Sequence, residues 1–79
     1  GPAGLSLTET PSKTVFEVKR LKGYQWAKTT LTFEDRTRIV WQVVDDRSNH
    51  YTITFATDNI SRYGPVFDKM IQSFSFGGR

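Results

Sequence analysis

Residues 38–44 and 50–57 follow a period of two, which is typical of β-strands and is clearest over 50–57. From residue 14 onward β-branched and aromatic residues predominate, and turn-forming clusters interrupt them at short intervals. The pattern predicts four strands, over residues 15–21, 24–33, 38–44 and 50–57. Because the intervening loops are short, we expect neighbouring strands to pair antiparallel as a β-meander.

Beyond Thr57 the apolar period becomes that of an amphipathic helix. The apolar stripe comprises Tyr63, Val66, Phe67, Met70, Ile71 and Phe74. We predict a helix over 63–73, in which Pro65 fits a first helical position and Asp68 lies near the positive N-terminal end. Residues 73–76 alternate again, which predicts a short closing strand.

One helix of about three turns covers only one face of such a sheet. The expected fold class is α+β: an antiparallel β-meander of four to five strands with one C-terminal helix packed on one face. The face expected under the helix carries Ile39, Trp41, Val43, Tyr51, Ile53 and Phe55. The opposite face carries Val40, Gln42, Val44, Thr52, Thr54 and Ala56. It is either solvated or a contact surface for a second copy or for another part of a larger domain.

The residue types along the chain predict where the folded domain begins and ends. Gly1 and Pro2 resemble the scar of a cleaved tag, and residues 1–13 read as an extended lead-in with a short edge strand at 5–8. Residues 14–76 are expected to form a single small domain, and 77–79 a tail. The 79-residue chain has no cysteine, so packing alone must stabilise a core that supplies about 3–5 kcal/mol.

The sequence contains no recognisable catalytic arrangement. His50 is the only histidine, and the carboxylate pairs at 34–35 and 45–46 fall in expected turns, where Asp forms local backbone hydrogen bonds. No nucleophile elbow and no glycine-rich phosphate loop is present. We therefore expect no enzyme, no metal site and no cofactor. No apolar run reaches the roughly 20 residues that a transmembrane helix needs.

Positive charge is concentrated near the first strand, and the formal net charge of the chain is +3. Together with two aromatic residues, these cations give a candidate partner-binding set of Lys19, Arg20, Lys22, Tyr24, Trp26 and Lys28. Three interpretations stay open: lysines that protect an edge strand, a surface for an anionic partner, or a basic aromatic surface for single-stranded nucleic acid. If Trp26 is exposed, it is the best candidate for an interface anchor.

Several features of the chain from Tyr24 onward occur together in one known family. They are an aromatic-led second strand, the third strand, the turn into the fourth strand and the aromatic segment that closes the chain. These features lie at Tyr24 and Trp26, at 38–44, at 49–55 and at 67–76. With them, residues 24–76 resemble the C-terminal half of the PsbP-like and Mog1-like domains.

The resemblance implies a non-catalytic α/β sandwich that binds proteins, often outside the cytoplasm, in a bacterial envelope or a thylakoid lumen. Complete members carry further strands and a helix before the meander, so dimerisation or strand exchange would have to cover the vacant sheet face here. We therefore expect a non-enzymatic interaction module that binds a protein partner or a second copy through this face and the edge at 15–22. The alternative is a basic domain that binds single-stranded nucleic acid.

Overall fold

The structure is a computed structural model that describes residues 9–76 of the chain. Its elements, in chain order, are β1 (Lys13–Leu21), β2 (Tyr24–Thr32), β3 (Thr37–Val44), β4 (His50–Thr57) and α1 (Ile60–Ser73). The strands form one antiparallel sheet in the order β1-β2-β3-β4. The predicted α+β meander with one C-terminal helix is thereby confirmed. The lead-in strand expected at 5–8 and the tail at 77–79 lie outside the described residues.

Short turns keep consecutive strands adjacent. Lys22 and Gly23 both have positive φ angles, of 58° and 82°. Two such residues in succession make a type I′ turn, whose twist suits an antiparallel hairpin, and this turn closes on the pair of Leu21 and Tyr24. A backbone hydrogen bond of 2.8 Å closes the next turn, at 33–36. The predicted strands agree with the observed ones to within two residues at every end.

Alternation along the strands separates a covered face, which lies under α1, from an open face. The buried core lies on the covered side and comprises Trp26, Ile39, Trp41, Val43 and Ile71. The three β4 residues expected beneath the helix, Tyr51, Ile53 and Phe55, pack against this core and are partly buried. The predicted covered face is therefore confirmed.

The open face carries the alternate residues of every strand. From β1 to β4 these are Thr14, Phe16, Val18, Arg20, Gln25, Ala27, Thr29, Leu31, Arg38, Val40, Gln42, Val44, His50, Thr52, Thr54 and Ala56.

Helix α1 begins at Ile60, three residues before the predicted start. Asn59 caps it, because its side-chain oxygen accepts a hydrogen bond of 3.2 Å from the N–H of Arg62. Pro65 consequently lies inside the helix, where it lacks the N–H that would bond to the carbonyl four residues earlier. Asp68 lies in the middle of the helix and not near its N-terminus, so the expected dipole interaction was wrong.

The closing segment at 74–76 is not a strand, which corrects the sequence expectation. Phe74 leaves the helix in an extended conformation, and its ring lies 5.9 Å from that of Trp26. The ring of Phe76 lies 4.7 Å from Tyr24 and 5.1 Å from Tyr51. The alternation therefore serves to place two aromatic side chains over the end of the core, without any backbone pairing.

Candidate protein-binding surface

The fold distributes the six candidate partner-binding residues over different surfaces. Arg20 lies on the open face, and Lys22 lies in the β1–β2 turn. The remaining four alternate onto the covered side: Lys19, Tyr24, Trp26 and Lys28. The structure therefore does not unite the six in one patch.

Trp26 belongs to the core. Its side chain is 0% exposed, and its indole N–H donates to the Leu21 carbonyl at 3.1 Å. Its ring meets that of Trp41 edge to face at 5.9 Å. The exposure on which its role as an interface anchor depended is absent, so Trp26 contributes to folding.

Trp41 lies in the core beside Trp26 but differs from it in hydrogen bonding. It is 2% exposed, as predicted for the core, yet its indole N–H has no partner among residues 9–76. A buried donor without a partner costs about 1–3 kcal/mol. The ammonium of Lys28 lies 5.1 Å from the centre of its ring, in a cation–π contact that leaves the N–H unpaired.

Tyr24 also has structural contacts. Its hydroxyl donates to Asp46 at 3.2 Å, and its half-buried ring packs against Phe76. The exposed aromatic surface that nucleic-acid binding would use is therefore not formed by Tyr24 and Trp26.

The two candidate binding residues Lys19 and Lys28, which lie on the covered side, each have an acidic neighbour. The ammonium of Lys28 lies 3.9 Å from the Asp68 carboxylate, and its side chain is 17% exposed. The ammonium of Lys19 lies 3.4 Å from the carboxylate of Glu17 on the same strand. Exposed pairs of this kind contribute about 0–1 kcal/mol, so they orient side chains more than they stabilise the domain.

The open face presents large apolar side chains: Val44 was expected on this face, and Phe16 and Val18 fall within the expected contact edge at 15–22 but were not singled out. Phe16 is 64% exposed, Val18 57% and Val44 45%. A shallow trough of about 530 Å³ runs beside them, lined also by Gln25, Ala27 and Gln42. The two-residue period of β1 was the signal that could have revealed Phe16 and Val18, since it places them on one side of the strand.

The residue composition of the open face changes from its β1 side to its β4 side. At the β1 side its large exposed residues are apolar, whereas Thr52 and Thr54 occupy the β4 side. It also carries Arg20 and Arg38, both exposed, and none of its strand residues is acidic. This surface combines an apolar patch at its β1 side, hydroxyl groups and positive charge.

The β3–β4 turn is organised by Asp45, as expected for a turn carboxylate. One carboxylate oxygen accepts from the N–H groups of Arg47 and Asn49 at 2.8 and 2.9 Å, and the other accepts from the Tyr51 hydroxyl at 3.1 Å. Partial desolvation alone would raise the pKa of Asp45, but the hydrogen bonds from Asn49, Arg47 and Tyr51 outweigh it and lower that pKa to about 2. The hydrogen bond from the Tyr51 hydroxyl to Asp45 raises the pKa of Tyr51. Across residues 9–76, no three His, Asp or Glu side chains cluster in a way that could hold a metal ion.

Compared with known proteins, the chain matches no family model, no curated protein and no solved structure at a significant level. The resemblance to PsbP-like and Mog1-like domains stays a prediction. In the described part of the chain, no helix has the length and apolar character needed to cross a bilayer.

Proposed function

We propose that the chain is a non-enzymatic protein-interaction module that binds a partner protein through its open face. The observation that carries this proposal is the exposure of Phe16, Val18 and Val44 around one trough. Scattered apolar side chains are ordinary on protein surfaces, whereas grouped ones are typical of interaction sites. The resemblance to PsbP-like domains points in the same direction, and a location outside the cytoplasm follows from that resemblance alone.

The charges of the open face define the chemistry of the partner. Arg20 and Arg38 lie on the same face as the apolar residues, and no strand residue of this face offers a carboxylate. A complementary protein surface would bring an apolar side chain to Phe16 and Val18 and carboxylates to the two arginines. The expected partner is therefore an apolar protein segment flanked by acidic residues.

A displayed library of random peptides tests this proposal with a defined probe. Peptides selected on the wild-type chain should carry Asp or Glu beside apolar residues, and they should perturb the amide signals of open-face residues. Val18→Thr should abolish their binding, while Val15→Thr, its matched control on the other side of β1, should leave binding unchanged. Peptides that perturb only α1, or that bind Val18→Thr as tightly as the wild type, would contradict the proposal.

Single-stranded nucleic acid is the second candidate, favoured by Arg20 and Arg38 on a face free of acidic strand residues. Phe16 is the one exposed Phe, Tyr or Trp ring among the strand residues of that face, and the exposed imidazole of His50 lies on β4, at the far edge of the sheet. One ring contributes about 1–3 kcal/mol of stacking, whereas even millimolar affinity needs about 4 kcal/mol. Sequence-reading sheet surfaces commonly stack two or three bases, which makes this candidate the weaker one.

Titration with a thymidine oligonucleotide at low and high salt separates the two candidates. Binding that falls steeply with salt and is lost in Arg20→Ala would support the nucleic-acid alternative. We expect no measurable binding, because the charge of the open face is not accompanied by enough exposed rings.

A further inference from the structure

Within residues 9–76, no strand pairs with the outer edge of β1. Leu21 and Tyr24 close a type I′ turn, so they form a hydrogen-bonded pair, and every second residue back from Leu21 directs its backbone groups towards β2. The intervening residues direct their N–H and C=O groups to the outer edge. They are Thr14, Phe16, Val18 and Arg20.

We propose that β1 pairs antiparallel with β1 of a second copy of this chain, about a two-fold axis that passes through Val18. In this register Glu17 lies opposite Lys19 of the second copy, and the symmetric contact repeats the pair. Phe16 lies opposite Arg20 of the second copy, which places a guanidinium next to an exposed ring. Directly opposed unlike charges stabilise antiparallel strand pairs.

The neighbouring registers oppose like charges. A pairing centred on Phe16 sets Lys19 opposite Lys13 of the other copy, and one centred on Glu17 sets that carboxylate opposite itself. Pairings centred on Lys19 or Arg20 likewise oppose identical cations.

A register centred on Val15 also joins unlike charges, since it sets Glu17 opposite Lys13 of the other copy. That register overlaps only the part of β1 up to Glu17 and leaves Val18 unpaired. Of the registers with long overlap, the one centred on Val18 is therefore the one in which charges are complementary and the exposed valine is paired.

The backbone geometry agrees with this register. Val18 directs its N–H and C=O outward, so two copies of Val18 form a hydrogen-bonded pair, and Phe16 does the same with Arg20 of the second copy. Lysines on an edge strand commonly prevent such pairing. Here Lys13 would lie opposite Gly23 and Lys22 opposite Thr14, so neither opposes a cation.

The pairing leaves the open face of each copy uncovered and joins the two faces in one continuous sheet. It uses the edge of β1 and not the open face, so it does not depend on the proposed function. It commits to a two-fold homodimer, in which both helices lie on the same side.

Charge reversal tests the register. Glu17→Lys and Lys19→Glu should each weaken the dimer by about tenfold, because each substitution turns both pairs of residues 17 and 19 across the interface into pairs of like charge. Sedimentation equilibrium over micromolar to millimolar protein concentrations measures the dissociation constant. The double variant should restore the wild-type dissociation constant. Lys13→Glu, a matched charge reversal on the same strand, should leave it nearly unchanged.

A crosslinking experiment locates the axis independently. The chain has no cysteine, so single cysteines report cleanly. Val18→Cys should oxidise to a covalent dimer, since opposed α-carbons in a hydrogen-bonded pair lie about 5.5 Å apart, within reach of a disulfide. Thr52→Cys, on the open face of β4, should stay monomeric on oxidation.

The proposal is overturned by a wild-type chain that stays monomeric at millimolar concentration, or by a double variant that fails to restore pairing. Sensitivity to Lys13→Glu would assign the register centred on Val15 instead. Crosslinking through Thr52→Cys would show that the copies meet through their open faces, which is a different dimer.

Discussion

Strands β1 and β3 both alternate their side chains between the two faces of the sheet, but they differ in burial. In β3, Ile39, Trp41 and Val43 are 2–4% exposed, because α1 and two neighbouring strands cover them. In β1, Phe16 and Val18 are 57–64% exposed, and Val15 on the other side is 37% exposed. The comparison teaches that alternation assigns residues to faces, while burial depends on what lies over each face.

The largest expected difference between the two regions is the response to truncation of a large aromatic side chain. Trp26→Ala should cost about 3–5 kcal/mol, which matches the whole supply of a core this small, so the variant should be largely unfolded at 25 °C. Phe16→Ala should change the free energy of unfolding by less than about 1 kcal/mol. Urea denaturation followed by far-UV circular dichroism measures both.

Equal losses of stability in the two variants would remove the distinction between β1 and the core. A folded Trp26→Ala variant would show that the aromatic cluster around Tyr24, Tyr51, Phe74 and Phe76 holds the domain without it.

Two adjacent residues of α1 give a second comparison, between a buried and an exposed side chain on the same helix. Ile71 is 1% exposed, whereas Met70 is 51% exposed. We expect Ile71→Ala to lower the free energy of unfolding by about 2–4 kcal/mol, and Met70→Ala to lower it by less than about 1 kcal/mol. Thermal unfolding with calorimetric detection checks this, and a similar cost at both positions would mean that the helix docks through a wider face.

The smallest expected effect is the dependence of stability on acid. The pKa of Asp45 is lowered to about 2 in the folded chain, against 3.8 for the unperturbed group. Its contribution to stability is therefore fully present above pH 4 and is lost as the pH falls through about 2. Urea midpoints measured between pH 6 and pH 2 should fall for the wild type and fall less steeply for Asp45→Asn.

The Asp45→Asn control isolates one carboxylate from the others of the chain. An identical pH dependence in the variant and the wild type would assign the acid sensitivity elsewhere. It would also show that the hydrogen bonds from Arg47, Asn49 and Tyr51 do not bind the carboxylate more strongly than the neutral acid.

Much of the fold could be predicted, because strands and helix follow from local periods of apolar residues. The start of α1 could not be predicted from its stripe, since the cap at Asn59 lies outside the apolar pattern and Pro65 suggested a later first turn. The alternation at 73–76 predicted a strand wrongly, because no strand within residues 9–76 pairs with that segment and its rings pack instead on Trp26 and Tyr51.

The candidate site was predicted less well than the fold. The sequence identified the cations and aromatic residues near the first strands, but it could not tell that Trp26 lies beneath Phe74 while Phe16 lies in solvent. The missing information was which parts of the sheet α1 and the closing segment cover. A local sequence pattern does not specify where the helix and the closing segment contact the sheet.

The sequence by itself determined the existence and order of the four strands and the helix, and the partition of strand side chains between two faces, because these depend on spacing and short turns. Only the tertiary structure decided that the helix and its aromatic extension bury the core around Trp26 and leave β1 exposed on both faces. The physical reason is that burial depends on contacts between residues that lie far apart in the sequence. One short helix covers only part of a sheet, and the side on which it settles depends on which contacts across the whole chain exclude the most water.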